Sequence, residues 1–249
     1  MRHILLLLLT ATVLYSCGKD SDKTEEILPG EKQDVPVDQP KERLSFQLLE
    51  TASFPDASIE LYRPLGNEQF EPGKVPFEFN VKNYPFGRNR PLMLAINGAN
   101  PVSQEQAIFS KEFNTGTYRV VAFLTDEEGH VLKEYGNHVD RDFLVGNSRP
   151  FPAADEPYLM VNLPRDGDEL EVDETLKIDF LLVGGDMEAD KLEVLIEVGD
   201  FTYKTQKMET LQLDGLPKGE HAVYVHLLSR QGKVFDSIFS SVRRNITIK

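Results

Sequence analysis

The sequence predicts an all-β protein in which two similar β-sandwich modules follow one another. Apolar and polar residues alternate along most of the chain after residue 43, which is the period of half-buried strands. Turn sequences such as Asn97-Gly98 separate the alternating segments. The same succession of segments returns after 100 to 103 residues, so the fold class follows from period, turns and duplication together.

The composition excludes several classes of partner. The 249 residues carry 27 basic and 41 acidic side chains, which gives a formal charge of −14. A nucleic-acid-binding protein needs clustered Lys and Arg to neutralise phosphates, and a polybasic membrane-binding segment needs them for anionic lipids. We therefore expect neither binding mode. Hydrophobic residues make up 40% of the chain, which is enough for packed cores.

The first seventeen residues indicate export and lipid attachment. Arg2 and His3 precede the apolar run 4–14, which is too short to span a bilayer as a helix, so residues 1–16 are interpreted as a signal peptide. The chain's one cysteine, Cys17, follows directly in Leu14-Tyr15-Ser16-Cys17. This tetrapeptide resembles the lipobox of bacterial lipoproteins. The resemblance implies that Cys17 becomes the first mature residue and carries covalent lipid. An ordinary secreted protein with a buried cysteine is the alternative.

Residues 17–43 are predicted to form a flexible acidic tether. They show no apolar periodicity, and their prolines interrupt helices and strands. The acidic stretch 19–26 resembles the export signal of Bacteroidota surface lipoproteins, and Gly18 stands where an Asp would imply retention at the inner membrane. The resemblance implies a lipid anchor in the outer membrane. The cell surface is preferred over the periplasmic face, and a plain solvated tether is the alternative reading of the charges.

The duplication divides the remainder into two modules, at 56–146 and 157–249, joined by a proline-containing linker at 147–156. Each has the dimensions of an immunoglobulin-like sandwich, with about seven strands in roughly ninety residues. Because the repeats are long, we expect two domains with separate cores, between which the linker limits motion. The matching segments, first copy before second, are 61–66 and 161–167, 75–81 and 176–182, 116–124 and 219–227, and 143–145 and 246–248.

The end of each copy has a glycine, an alternating strand, a polar Gly turn and a final apolar strand. This pattern resembles bacterial Ig-like and fibronectin type III-like modules, which implies a fold and no particular activity. Tyr118 begins one such strand, and His221 holds the equivalent place in the second copy. We expect both side chains to form hydrogen bonds with backbone at a sheet corner.

Motifs for catalysis are missing from the sequence. Cys17 is assigned to lipid, and neither a Gly-x-Ser-x-Gly elbow nor a phosphate-binding Gly loop occurs. His138, Asp140 and Asp142 alternate along one strand face, where a solvated polar face is favoured over a metal site. We predict that the protein is not an enzyme and has no cofactor besides the lipid.

Two segments are candidate ligand sites. Tyr84, Phe86, Arg88 and Arg90 combine aromatic and cationic side chains in one loop, which could bind an acidic glycan or a protein; a purely structural connection is the alternative. Carboxylates crowd the segment 166–174, and calcium prefers such oxygen ligands. Solvation of an acidic loop is the alternative there. The possible calcium ligands are Asp166, Asp168 and Asp173.

These observations favour a non-enzymatic, lipid-anchored envelope protein that presents two Ig-like modules for protein–protein assembly or adhesion. The partners are the membrane, through the anchor, and a protein or glycan that the sequence does not identify. The alternative function is a surface glycan-binding accessory lipoprotein of a polysaccharide uptake system.

Overall fold

The computed structural model describes residues 44–235 and 237–249, all of them in strands, turns and loops without a helix. The predicted all-β fold is therefore confirmed. No helix in this part of the chain is both long and apolar enough to cross a membrane. The signal peptide, Cys17 and the tether as far as residue 43 lie outside the described residues. The first strand, β1 (Ser45–Leu49), precedes two sandwiches of eight strands each.

The first sandwich packs a three-stranded sheet, in the order β2-β4-β7, against a five-stranded sheet, in the order β3-β9-β8-β5-β6. Alternation explains the core, because Val75, Phe77 and Phe79 of one strand all point into it. The strands are β2 (Ser58–Arg63), β3 (Glu68–Phe70), β4 (Gly73–Lys82), β5 (Leu92–Ile96), β6 (Val102–Gln104), β7 (Ile108–Phe113), β8 (Gly116–Phe123) and β9 (His138–Val145).

The second sandwich repeats this topology, with sheets in the orders β15-β12-β10 and β11-β17-β16-β13-β14. Its core holds Leu176, Ile178 and Phe180 of one strand, at the positions that match the three core residues of β4. The strands are β10 (Tyr158–Leu163), β11 (Asp168–Leu170), β12 (Leu176–Val183), β13 (Glu193–Val198), β14 (Phe201–Thr205), β15 (Thr210–Asp214), β16 (Gly219–Leu228) and β17 (Ser241–Ile248).

The sandwiches also share their irregular features. The pairing register shifts between Leu61 and Arg63 in the first, and between Val161 and Leu163 in the second. A proline follows each shift, and proline has no N–H for a further ladder bond. The chain then changes sheets, so that β3 pairs in parallel with β9 and β11 in parallel with β17. Within this shared topology, the order β9-β8-β5 opposite β2-β4-β7 is that of an Ig-like sandwich.

Strand β1 belongs to the second sandwich, although the first sandwich follows it in the chain. It pairs antiparallel with β15 over five residue pairs and makes that sheet four-stranded, β1-β15-β12-β10. Phe46 is 49% exposed and contacts two aromatic rings at the edge of the core, with its ring centroid 5.6 Å from Phe201 and 5.3 Å from Tyr203. The first predicted module begins at residue 56, so this strand is an addition to the predicted architecture.

A third apolar cluster joins the two sandwiches, and we refer to this contact as the joint. The outer face of β5 and β8 packs on the outer face of β10 and β12. The two sandwiches keep distinct core clusters, and they share this apolar interface in addition to the linker. The buried residues of this cluster are Met93, Ala95, Val121, Phe123, Val131, Tyr158, Met160, Leu181 and Val183.

Candidate functional site

The loop predicted to bind a ligand is largely built into the first sandwich. Tyr84 is buried, and its hydroxyl donates to the Thr125 carbonyl oxygen at 2.8 Å. Burial raises the pKa of this hydroxyl. Arg90 forms an ion pair with Glu127, and its guanidinium lies 5.4 Å from the ring centroid of Phe54.

Phe86 in the same loop is half-buried against the first core, whereas Arg88 is exposed. Of the four predicted side chains, Arg88 is thus the most open to solvent. The geometry accounts for the other three through packing and pairing, and ligand binding by this loop stays a prediction.

The acidic segment predicted to bind calcium is folded as two turns. The Asp166 carboxylate accepts from the Asn245 backbone N–H at 2.7 Å and from its side-chain amide at 2.9 Å, which lowers the pKa of Asp166. Asp168 accepts from the Arg165 backbone N–H at 2.8 Å, and Asp173 is exposed. Nowhere in the described residues do three His, Cys, Asp or Glu side chains converge as metal ligands would. Calcium binding stays a prediction without an assembled ligand set.

A buried carboxylate organises the polar part of the joint. Asp179 is 0% exposed and accepts from the Val131 backbone N–H, the Asn162 amide and the Thr210 hydroxyl, each at 2.8 Å. Lys133 of the first sandwich pairs with the same carboxylate. Because a buried charge is tolerated only when it is paired and hydrogen-bonded, these four donors make Asp179 a fixed point between the sandwiches.

Arg119 stabilises the other end of the joint. Its guanidinium makes two hydrogen bonds with Asp142, at 2.6 and 2.7 Å, and a third with the Ala154 carbonyl oxygen at 3.0 Å. The guanidinium also lies 4.4 Å from the ring centroid of Tyr158, so a cation–π contact crosses between the sandwiches. Asp142, which sequence analysis placed on a polar strand face, is thereby engaged in an ion pair.

Both predicted corner contacts are confirmed. The Tyr118 hydroxyl donates to the Asn114 carbonyl oxygen at 2.9 Å. The His221 Nε2 lies 2.7 Å from the Pro217 carbonyl oxygen, four residues back in the second sandwich as in the first. The two side chains thus have a structural role at equivalent corners.

The histidine with the closest carboxylate is not accessible to a substrate. His130 Nδ1 lies 3.2 Å from the Asp126 carboxylate, which also accepts the His130 backbone N–H at 2.9 Å. His130 is only 2% exposed. This pair therefore closes a turn, and a catalytic role would require a surface that the fold does not provide.

The second sandwich has an open sheet face that sequence analysis did not select. We call it the free face: the outward side chains Leu195, Glu197, Tyr224, His226 and Arg243. Glu197, Tyr224 and Arg243 are neighbours across three strands, and the Arg243 guanidinium lies 5.7 Å from the Tyr224 ring centroid. The His226 Nε2 lies 3.6 Å from the Glu197 carboxylate.

The equivalent positions of the first sandwich are buried in the joint. In the second sandwich they are open to solvent, so this face is a candidate binding site. Val121 and Phe123 correspond to Tyr224 and His226, and they are buried against the second sandwich. On the free face a shallow depression of about 450 Å³ lies over Ala222 between these side chains. The signal in the sequence was the alternation of Tyr224 with His226 on the outward side of a central strand.

Comparison with known proteins gives structural neighbours alone. The chain matches no family model and no curated protein. Among solved structures it is similar to fibronectin(III)-like modules of Clostridium thermocellum CbhA, at 14% identity and TM-score 0.31, covering 77% of this chain and 94% of that one.

Two further neighbours match over less of their own length. Three N-terminal domains of the bacteriophage RB49 outer capsid protein Hoc match at 13% identity and TM-score 0.25, over 77% of this chain and 58% of that one. A putative membrane anchored protein from Corynebacterium diphtheriae matches at 11% identity and TM-score 0.26, over 77% and 57%. The fold assignment rests on the strand order described above.

Proposed function

We propose that the protein is a lipid-anchored, non-enzymatic component of the cell envelope that presents one firm two-sandwich body to a protein partner. The observation that carries the proposal is the position of the sole cysteine, Cys17, directly after the apolar run of a signal peptide. Acyl chains on this residue supply a stable anchor, because each buried methylene contributes about 0.8 kcal/mol.

The geometry supports the presenting role in two ways. First, the joint combines an apolar cluster with the paired charges of Asp179 and Arg119, so a surface on either sandwich keeps its position relative to the other. Second, the free face offers Tyr224 and Arg243, side-chain types that are enriched at protein interfaces. We assign the outer membrane as the site of anchoring, with the cell surface as the preferred side.

Metabolic labelling tests the anchor. Cells that produce the full chain are grown with [³H]palmitate. The wild type is expected to be labelled, and the Cys17→Ser variant is expected to lose the label. Ser21→Ala, a change four residues further along, is the matched control and should retain the label. Undiminished labelling of Cys17→Ser would overturn the anchor. Protease treatment of intact cells then distinguishes the cell surface from the periplasmic face.

A second candidate function is glycan binding by the free face. The observation that favours it is the depression over Ala222, which is lined by the Tyr224 ring and by the side chains of Glu197 and Glu220. Polysaccharide in a native gel should retard the wild type, and Tyr224→Ala should remove the retardation. Tyr135→Ala is the control, because Tyr135 is 99% exposed elsewhere. A mobility that no polysaccharide changes argues against this function.

A further inference from the structure

The pairing of β1 determines which sandwich takes up the N-terminal tether. Residues 17–43 lead directly into β1, and β1 pairs with β15 of the second sandwich over residues 45–49. The first sandwich begins only at β2, after the connection 50–57. The tether therefore meets the folded body at the second sandwich, in contrast to the order of the modules along the chain.

One residue position explains why β1 pairs with β15 and not with the equivalent edge strand of the first sandwich. The edge strand β7 of the first sandwich corresponds to β15, and Lys111 occupies the place of Leu213. A charge on the core side of an edge strand opposes the addition of another strand. On β15 both core-side residues are leucines, Leu211 and Leu213, and each is 1% exposed with β1 in place. Strand β1 thus covers an apolar edge that the first sandwich protects by charge.

We propose that β1 is a strap that attaches the tether to the second sandwich, so that a pull on the tether acts on this strand before it reaches the first sandwich. The identity of the anchor rests on the proposed function, whereas the strap itself does not. The hydrogen bonds between β1 and β15 carry tension on the tether, and the Phe46 ring adds contacts with Phe201 and Tyr203. Release of residues 45–53, up to the contact of Phe54 with Tyr84, would lengthen the tether by on the order of 30 Å.

Disulfide trapping in the full mature chain tests the pairing. In a Cys17→Ser background, Gln47→Cys is combined with Gln212→Cys, its partner in the register. The matched control combines Gln47→Cys with Ser110→Cys, the equivalent position on β7. Mild oxidation should close the 47–212 bond within one chain and leave the control reduced, as read by peptide mass spectrometry. A 47–110 bond, a 47–212 bond between two chains, or no bond at all would overturn the proposal.

Single-molecule pulling tests the load path independently of lipid. A handle is attached to the thiol of Cys17 in the non-lipidated mature chain, and a second handle to the C-terminus. The expected record shows a short first extension before either sandwich unfolds, and Phe46→Ala should lower the force of that step alone. A record without a separate first step contradicts the strap. A failed palmitate-labelling experiment would leave this result unaffected, so the two proposals fail separately.

Discussion

At the scale of single residues, Asp179 shows how a charge can be used inside an interface. Its carboxylate is fully buried, yet every donor around it is a group that would otherwise lose a hydrogen bond: a backbone N–H, an amide, a hydroxyl and the Lys133 ammonium. These hydrogen-bond donors come from both sandwiches. Such a network favours one relative placement over others, because a shifted interface would leave several of these groups unpaired.

We predict that Asp179→Ala destabilises the protein by about 3–5 kcal/mol, since it removes one partner from a buried ion pair. Urea denaturation, followed by fluorescence and circular dichroism, measures this change. Asp173→Ala provides the control, because Asp173 is exposed and its loss should change stability by no more than about 0.5 kcal/mol. Equal midpoints for the two variants would contradict the role of Asp179.

His138 is predicted to make stability depend on pH. Burial lowers the pKa of His138 in the folded protein, with Lys133 acting in the same direction and Asp140 opposing it. The unfolded chain therefore binds a proton near the ordinary pKa of about 6.5, whereas the folded protein binds it only at lower pH.

The contribution of His138 is present above that unfolded-state pKa and is lost as the pH falls below it. Urea midpoints should decrease from about pH 7 to about pH 5, and His138→Gln should make the decrease smaller. His221→Gln is a suitable comparison, because His221 is only partly buried at a sheet corner. A pH dependence that His138→Gln leaves unchanged would refute the assignment.

At the scale of strands, the two equivalent edges β7 and β15 differ in how they avoid unwanted pairing. One has Lys111 on its core side, and the other is covered by β1. Edge strands without either protection tend to pair with other chains. A single substitution that removes the charge from β7 should therefore allow this edge strand to pair with another copy of the protein.

Lys111→Leu is expected to cause concentration-dependent self-association, because it removes the charge from the core side of β7. Sedimentation velocity over a range of protein concentrations measures this. Glu112→Leu adds similar apolar area to the adjacent position, which points to the other side of the strand, and should remain monodisperse at the same concentrations. If both variants associate alike, hydrophobicity alone and not the edge position is responsible.

Strands such as β4 and β12 were predictable because core residues recur at every second position, three in β4 and four in β12. Strand β1 was not, since the alternation of Phe46 and Leu48 is too short to show which of two distant edges it joins. That information lies in Lys111 and Leu213, which have to be compared across the duplication. The corner roles of Tyr118 and His221 were predictable because their contacts are local, four residues apart.

The candidate sites also differ in whether their residues are close together in the sequence. The segment around Tyr84 combines aromatic and charged residues, which predicts a ligand site, but Tyr84 and Arg90 make contacts within the fold itself. The free face was not predictable because its residues come from three strands that are separated along the chain. A sequence pattern shows which way Tyr224 points, but it does not show that the equivalent Val121 is covered and Tyr224 is not.

At the scale of the whole molecule, we expect the joint to make the two repeated sandwiches unfold as one cooperative unit. Met160 illustrates the difference between the copies. It is buried in the joint, and the equivalent residue of the first sandwich is Glu60, whose carboxylate accepts from Lys82 at 3.1 Å on an open face. The duplicated fold is thus apolar where the sandwiches meet and charged where the corresponding face is open.

Calorimetry of the full mature chain tests this central claim most directly. We predict one unfolding transition, which both Phe79→Ala and Phe180→Ala shift downwards, because a buried Phe→Ala change costs about 3–5 kcal/mol and the joint couples the cores. Met160→Glu, which places the residue of the open face into the joint, should split this transition into two. Two separate transitions in the wild type, each moved only by the substitution in its own sandwich, would contradict the account.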